Sequence, residues 1–186
     1  MCKKIIFKEY FMDHATVVFL RRNGQVCLAP KKGHIHDGEK SLNAGDEKLN
    51  GYGGKLEEGE TPRMAAIREL GEEAHVLGNE EDLVPCAIID FFWPGNTDKK
   101  FDMRVYFFFL DWWKGVPEET EFMGPPEFFG VGTIPYDRML PADQKFLEPV
   151  FQGKYVEGEV WLPKKDDLND HLRVKLDFNK TPINYI

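Results

Sequence analysis

The sequence has only three cysteines, Cys2, Cys27 and Cys86, and no two of them stand at a CxxC or zinc-binding spacing. That excludes a disulfide scaffold and leaves reduced, mostly buried thiols, as expected of a cytoplasmic protein. Long hydrophobic runs are also lacking. The best, residues 105–113, falls far short of a membrane span and reads as a buried strand. The apolar Ile5, Ile6 and Phe7 near the start are too few for a signal peptide, and Lys8 and Glu9 close them off. A basic excess is missing too. Lys and Arg number 24 against 32 Asp and Glu, a net charge of −8, which argues against a nucleic-acid partner. No internal repeat, low-complexity stretch or linker is visible.

What is present fits one well-filled core. The 186 residues are 42% apolar and 13% aromatic, and we expect a single domain over 1–186. Residues 15–20 and 25–29 flank Asn23-Gly24, the usual signal for a tight hairpin turn. Residues 31–48 are polar, charged and without apolar period, so they read as a long loop acting as a lid over the site. Within it, His34 and His36 read more simply as solvated loop than as a ligand pair. Thr61-Pro62 opens a helix, with Thr as N-cap and Pro at the first position; Ala65, Ala66, Ile67 and Leu70 supply its buried face. Residues 79–82 form a polar connection. Strands are expected at 86–93, 101–110 and 128–134, a second helix at 143–152, and two further strands within 154–178. Trp112-Trp113 and Phe107 to Phe109 read as core packing, and Phe91, Phe92 and Trp93 as candidates to line a pocket. The fold class is α/β (α+β), a mixed sheet with a few helices in one sandwich.

The densest chemistry lies on the first helix. Glu69, Glu72 and Glu73 are three and four residues apart and share one face. Like charges at that spacing repel, and the helix C-terminus disfavours anions further. An oxygen-only donor set of this kind suits a hard divalent ion. Glutamate is a good helix former, so an exposed acidic face alone would be unremarked. It would not explain Gly53-Gly54 before the helix or Arg68 beside Glu69.

The pattern G-x5-E-x7-R-E-U-x-E-E-x-G-U, with U aliphatic, runs through Gly54, Glu60, Arg68, Glu69, Leu70, Glu72, Glu73 and Val76. The segment thus resembles the Nudix box, with one departure: His75 stands at the late Gly. The resemblance implies the Nudix fold, a mixed sheet sandwiched between helices, and a pyrophosphohydrolase dependent on Mg²⁺, for which Mn²⁺ can substitute. It implies Glu69, Glu72 and Glu73 as catalytic residues, with the Gly53 carbonyl, Glu69, Glu72 and Glu73 as metal ligands. Glu72 is second-metal ligand or base for the attacking water. Arg68 and Glu60 are implied as a supporting salt bridge.

Outside the box, Asn50 and the segment Leu140-Pro141-Ala142-Asp143 are similar to the branch of that family acting on oxidised purine nucleoside triphosphates. This implies Asn50, Asp143 and Leu140 as substrate contacts; Asn50 can offer a base edge both a donor and an acceptor. Ala142 replaces one of two adjacent aspartates, Leu140 and Leu49 replace stacking aromatics, and Phe122, beside Glu121, replaces an acidic metal ligand. The expected partner is a small-molecule nucleotide, with no nucleic acid and no membrane, for a monomer or homodimer. The leading expectation is cleavage of a nucleoside triphosphate, such as 8-oxo-dGTP, to monophosphate and pyrophosphate. The alternatives are ADP-ribose, a dinucleotide or a nucleotide sugar as substrate, or a non-catalytic nucleotide-binding module.

Overall fold

The computed structural model describes residues 14–32, 35–36, 39–40, 48–96, 100–164 and 171–182. The strands are β1 His14–Arg22, β2 Gln25–Pro30, β3 Ile35–His36, β4 Glu39–Lys40, β5 Leu49–Asn50, β6 Leu83–Phe92, β7 Met103–Leu110, β8 Glu127–Gly130, β9 Val156–Trp161 and β10 Arg173–Asp177. The helices are α1 Pro62–Ala74 and α2 Asp143–Phe151. The main sheet runs β10-β9-β6-β7-β1-β2-β5, with β8 added on β2. It is mixed: β1 pairs with β7 and β6 with β9 in parallel, and the other pairings are antiparallel.

The alternation of side chains across the pleat separates two cores. Val18, Leu20, Tyr106, Phe108 and Leu110 face Ala66, Leu70 and Ala74 of α1. Phe19, Phe107 and Phe109 face Phe146, Leu147, Val150 and Phe151 of α2. Phe19 meets Phe151 edge-on at 5.0 Å between ring centres, and Phe107 lies 5.3 Å from Phe146. Each such buried side chain contributes about 1.5–3 kcal/mol. The sheet therefore lies between two helices, and α1 is pinned on the face that also receives the segment before it. That segment is strapped to β1: Val18 N–H donates to Tyr52 O at 2.7 Å, Tyr52 N–H returns to Val18 O at 3.0 Å, and Thr16 N–H donates to Gly54 O at 2.9 Å.

The hairpin has the expected turn, with Asn23 at φ 54° and Gly24 at φ 72°. Thr61 caps α1 by accepting from Met64 N–H at 3.2 Å. The helix ends on His75, at φ 55° and ψ 30°, in the left-handed region usually given to glycine.

Several expectations need correction. The strand expected at 128–134 ends at Gly130 and gives way to a 3₁₀ turn, Val131–Thr133. Gly130 and Gly132 weaken strand pairing there. The run at 105–113 is a strand only to Leu110; Trp112 is 77% exposed rather than in the core, while Trp113 lies beneath the Arg22 guanidinium at 4.0 Å. The connection at 79–82 carries a 3₁₀ turn, Glu80–Asp82. The polar stretch at 31–48 contains the short β3–β4 pair rather than a loop throughout. His34 and most of that stretch lie outside the described residues, as do Cys2 and the Asp166-Asp167 pair expected between the last two strands. Cys27 and Cys86 are free and buried.

Candidate active site

The strapping of residues 52–54 along β1 brings Gly53 against the acidic face of α1. Gly53 N–H donates to Glu73 Oε2 at 2.7 Å. A Cβ at Gly53 would collide with the Thr16 carbonyl, so only glycine permits this approach, and one at Gly54 would push the Glu69 carboxylate from its position. Glu69, Glu72 and Glu73 join Lys31, Gly53, Gly54, Lys55 and Phe122 around a cleft of about 250 Å³.

The three glutamates differ in environment. Glu72 is half exposed. Glu69 is nearly buried, and desolvation raises its pKa against the pull of Arg68. Glu73 is 4% exposed; burial pushes its carboxyl up to about 7, opposed by Lys31 and the Gly53 N–H. Lys31 Nζ donates to the Gly53 carbonyl at 3.1 Å and lies 3.6 Å from Glu73 Oε1. A cation thus already lies between a carbonyl and a carboxylate here, a donor pair suited to a hard ion.

Arg68 organises the other side. Its Nε and Nη2 grip Glu60 in a bidentate pair at 2.7 and 3.0 Å. Its Nη1 reaches Glu69 at 2.9 Å and Glu72 at 3.1 Å, and Nη2 also donates to Lys55 O at 3.0 Å. Glu60 is held further by Glu57 N–H at 2.7 Å, and Arg68 keeps its carboxyl below the usual range. Glu69 and Glu72 thus share one Arg68 nitrogen, while Glu73 is held separately by Gly53 N–H and Lys31. Among the described residues, no three His, Cys, Asp or Glu side chains converge as a ready-made metal cage.

The C-terminal end of α1 is closed by the segment 118–123, of which the sequence singled out only Glu121 and Phe122. Buried Thr120 donates its hydroxyl to the Glu73 carbonyl at 3.1 Å and accepts from Phe122 and Met123 N–H. Glu118 N–H donates to Ala74 O at 3.2 Å. Phe122 thereby reaches the cleft.

Of the expected substrate contacts, Asp143 is 6% exposed at the start of α2, and burial lifts its carboxyl to about 7. Leu140 N–H donates to Asp143 Oδ2 at 3.2 Å, and Asp143 N–H returns to Leu140 O at 2.9 Å. Asn50 is half-buried on β5, its Oδ1 accepting from Gly51 N–H at 2.8 Å. Leu49, Met139, Ala142 and Phe146 share one apolar cluster, which places the Asn50 strand and the Asp143 turn beside the same core. Phe91 meets Phe146 edge-on, Phe92 instead stacks on Trp161, and Trp93 is 42% exposed.

A family model described as the NUDIX domain matches residues 11–167. The chain belongs to the Nudix family. It is 32% identical over 169 residues to the oxidized purine nucleoside triphosphate hydrolase of Danio rerio, covering 87% of this chain and 92% of that relative. The protein of the same name from Mus musculus is 31% identical over 153 residues, covering 82% and 88%. Among solved structures, the MutT protein of Bacillus halodurans superposes with a TM-score of 0.65 at 16% identity, covering 88% of this chain and 97% of that one. That last likeness is one of fold. In this Nudix chain, Lys31 and Thr120 are the site residues that sequence reading passed over. Lys31 opens a charge-rich run, and Thr120 lies far from the box in sequence, so neither carried a local signal.

Proposed function

We propose that this Nudix protein is a pyrophosphohydrolase that cleaves a nucleoside triphosphate to the monophosphate and pyrophosphate with the help of Mg²⁺. The observation that carries this reading is the acidic face of α1 set against the Gly53 peptide in one cleft. The Gly53 carbonyl, Glu69, Glu72 and Glu73 are the candidate metal donors, and their oxygens suit Mg²⁺ or Mn²⁺. A bound divalent ion would offset phosphate charge and acidify the attacking water. Arg68 and Glu60 fix the loop against the helix, so that the carboxylates keep their aim. Glu72, the most exposed of the three, is best placed to meet a water arriving from solvent, as its base or as a further metal donor.

Asn50, Leu140 and Asp143 are the candidate base contacts. Asp143, with its carboxyl near 7, can donate to or accept from a purine edge at neutral pH. The names of the animal relatives support an oxidised purine as the base. A second reading keeps the chemistry and changes the substrate to ADP-ribose or a nucleotide sugar. It is favoured by Leu49, Leu140 and Ala142, which offer neither a stacking ring nor a second carboxyl.

The test is phosphate release with Mg²⁺ or chelator, after pyrophosphatase treatment for dGTP, 8-oxo-dGTP, 2-oxo-dATP and dATP, and after alkaline phosphatase treatment of the phosphomonoester products for ADP-ribose and a nucleotide sugar. Mg²⁺-dependent turnover centred on a purine triphosphate is expected. Turnover centred on ADP-ribose would select the second reading. Tight nucleotide binding without release would mark a binding module.

A further inference from the structure

Lys31 sits at a position that the proposed chemistry does not use. Its backbone is fixed on two sides: its N–H donates to Lys48 O at 3.0 Å, and it bridges Met123 in antiparallel register. Next to it, Gly124 N–H donates to Pro30 O at 2.7 Å. The side chain, 27% exposed, is therefore aimed by a rigid base rather than trailing in solvent. Its ammonium donates to the Gly53 carbonyl at 3.1 Å and stands 3.6 Å from Glu73 Oε1. Those are two of the oxygens assigned above to a divalent ion.

The same lone pairs cannot serve both cations. An ammonium and a divalent ion that share a carbonyl and a nearly buried carboxylate repel each other strongly in this medium. Among the described residues Lys31 is the cationic neighbour of Glu73, and removing it would leave a carboxylate that is 5% exposed with the Gly53 N–H to hold its charge.

We propose that Lys31 is a built-in counter-cation: its ammonium holds the Gly53 carbonyl and Glu73 in the metal-free protein and is displaced when the ion enters, which raises the metal concentration the enzyme needs. This rests on the metal-dependent reading of the site. It assigns Lys31 two opposite effects, support of the metal-free fold and competition with the metal. A residue that merely shaped the site would help both states.

The test uses the full chain without nucleotide. Mn²⁺ binding is titrated by the electron paramagnetic resonance signal of the free ion for wild type, Lys31→Met and Lys31→Gln. Thermal unfolding is followed in chelator and in saturating Mn²⁺. Both variants should bind Mn²⁺ at least about tenfold more tightly, because the competing charge is gone. Their melting temperatures should fall below wild type in chelator and recover in saturating Mn²⁺. Lys31→Gln keeps a hydrogen-bond donor for Gly53 and decides the matter if Lys31→Met does not fold. Equal or weaker Mn²⁺ affinity in a folded variant would overturn the proposal while leaving the metal reading intact. No Mn²⁺ binding by any of the three proteins would overturn both.

Discussion

The backbone N–H of Gly53 donates to Glu73 Oε2 over 2.7 Å, tying the loop before the helix to the most buried carboxylate on it. Position and charge at this point are therefore one problem. Glu73→Gln keeps an acceptor for Gly53 and removes the charge. Turnover should fall by more than about a hundredfold, and the variant should melt no lower than wild type in chelator. Unaltered kcat would remove Glu73 from the metal donors.

Arg68 contacts Glu60, Glu69, Glu72 and the Lys55 carbonyl with a single planar fork. Lysine cannot reproduce that geometry. Arg68→Lys should cost about 1–3 kcal/mol of stability and weaken metal affinity by about 10–100-fold. Denaturant unfolding and Mn²⁺ titration measure the two effects; a variant indistinguishable from wild type in both would make the fork dispensable.

Asn50 Oδ1 accepts from Gly51 N–H, which leaves the side-chain amide N–H groups to meet other partners. Asn50→Ala should raise KM or shift base preference while kcat holds. A uniform loss over every substrate in the panel would show instead that the Gly51 turn depends on it.

The local parts of this picture could be read from sequence because local signals determine them. Thr61-Pro62 starts α1, Asn23-Gly24 turns the hairpin, and continuous apolar runs build β1 and β7. What could not be read depends on closure in space. Lys31 resembles any lysine at the start of a polar run, yet the β2–β5 pairing brings it to Gly53. Thr120 gains its role only when the 118–124 segment folds over the end of α1. Trp112 looked like core because it extends an apolar run, but the strand ends two residues earlier and leaves it outside.

His75 holds the left-handed exit of α1 at φ 55°, with its N–H donating to Leu70 O. That conformation costs a side chain about 1–2 kcal/mol, partly offset by the greater unfolded-state freedom of glycine. The ring's neighbour, Glu118 at 3.6 Å, is exposed and adds little. His75→Gly should therefore raise stability by up to about 1 kcal/mol and the melting temperature by about 2–4 °C. A lower melting temperature would assign the ring a packing role.

Asp143 has its carboxyl lifted from 3.8 to about 7 by burial. The folded chain then holds this proton more tightly than the unfolded chain. The stabilisation is complete below about pH 4, declines as pH rises towards 7, and is gone above it. Across that window wild type should lose roughly 1.4 kcal/mol per pH unit from this group, and Asp143→Asn should not. Melting curves from pH 4.5 to 8 compare the two; parallel profiles would mean that Asp143 ionises freely in the native state.

The parallel pairing of β1 with β7 joins distant parts of the chain, and Arg21 clamps Asp111 across it, 90 residues further along. The whole acidic motif lies inside that loop. During synthesis β1 has to wait unpaired on this side until β7 emerges, with its apolar Val17, Val18 and Phe19 still seeking cover. Such distant closure slows folding. The cleft thus waits for a late-emerging strand, and a destabilised variant is exposed to aggregation before the acidic face of α1 has settled against the sheet.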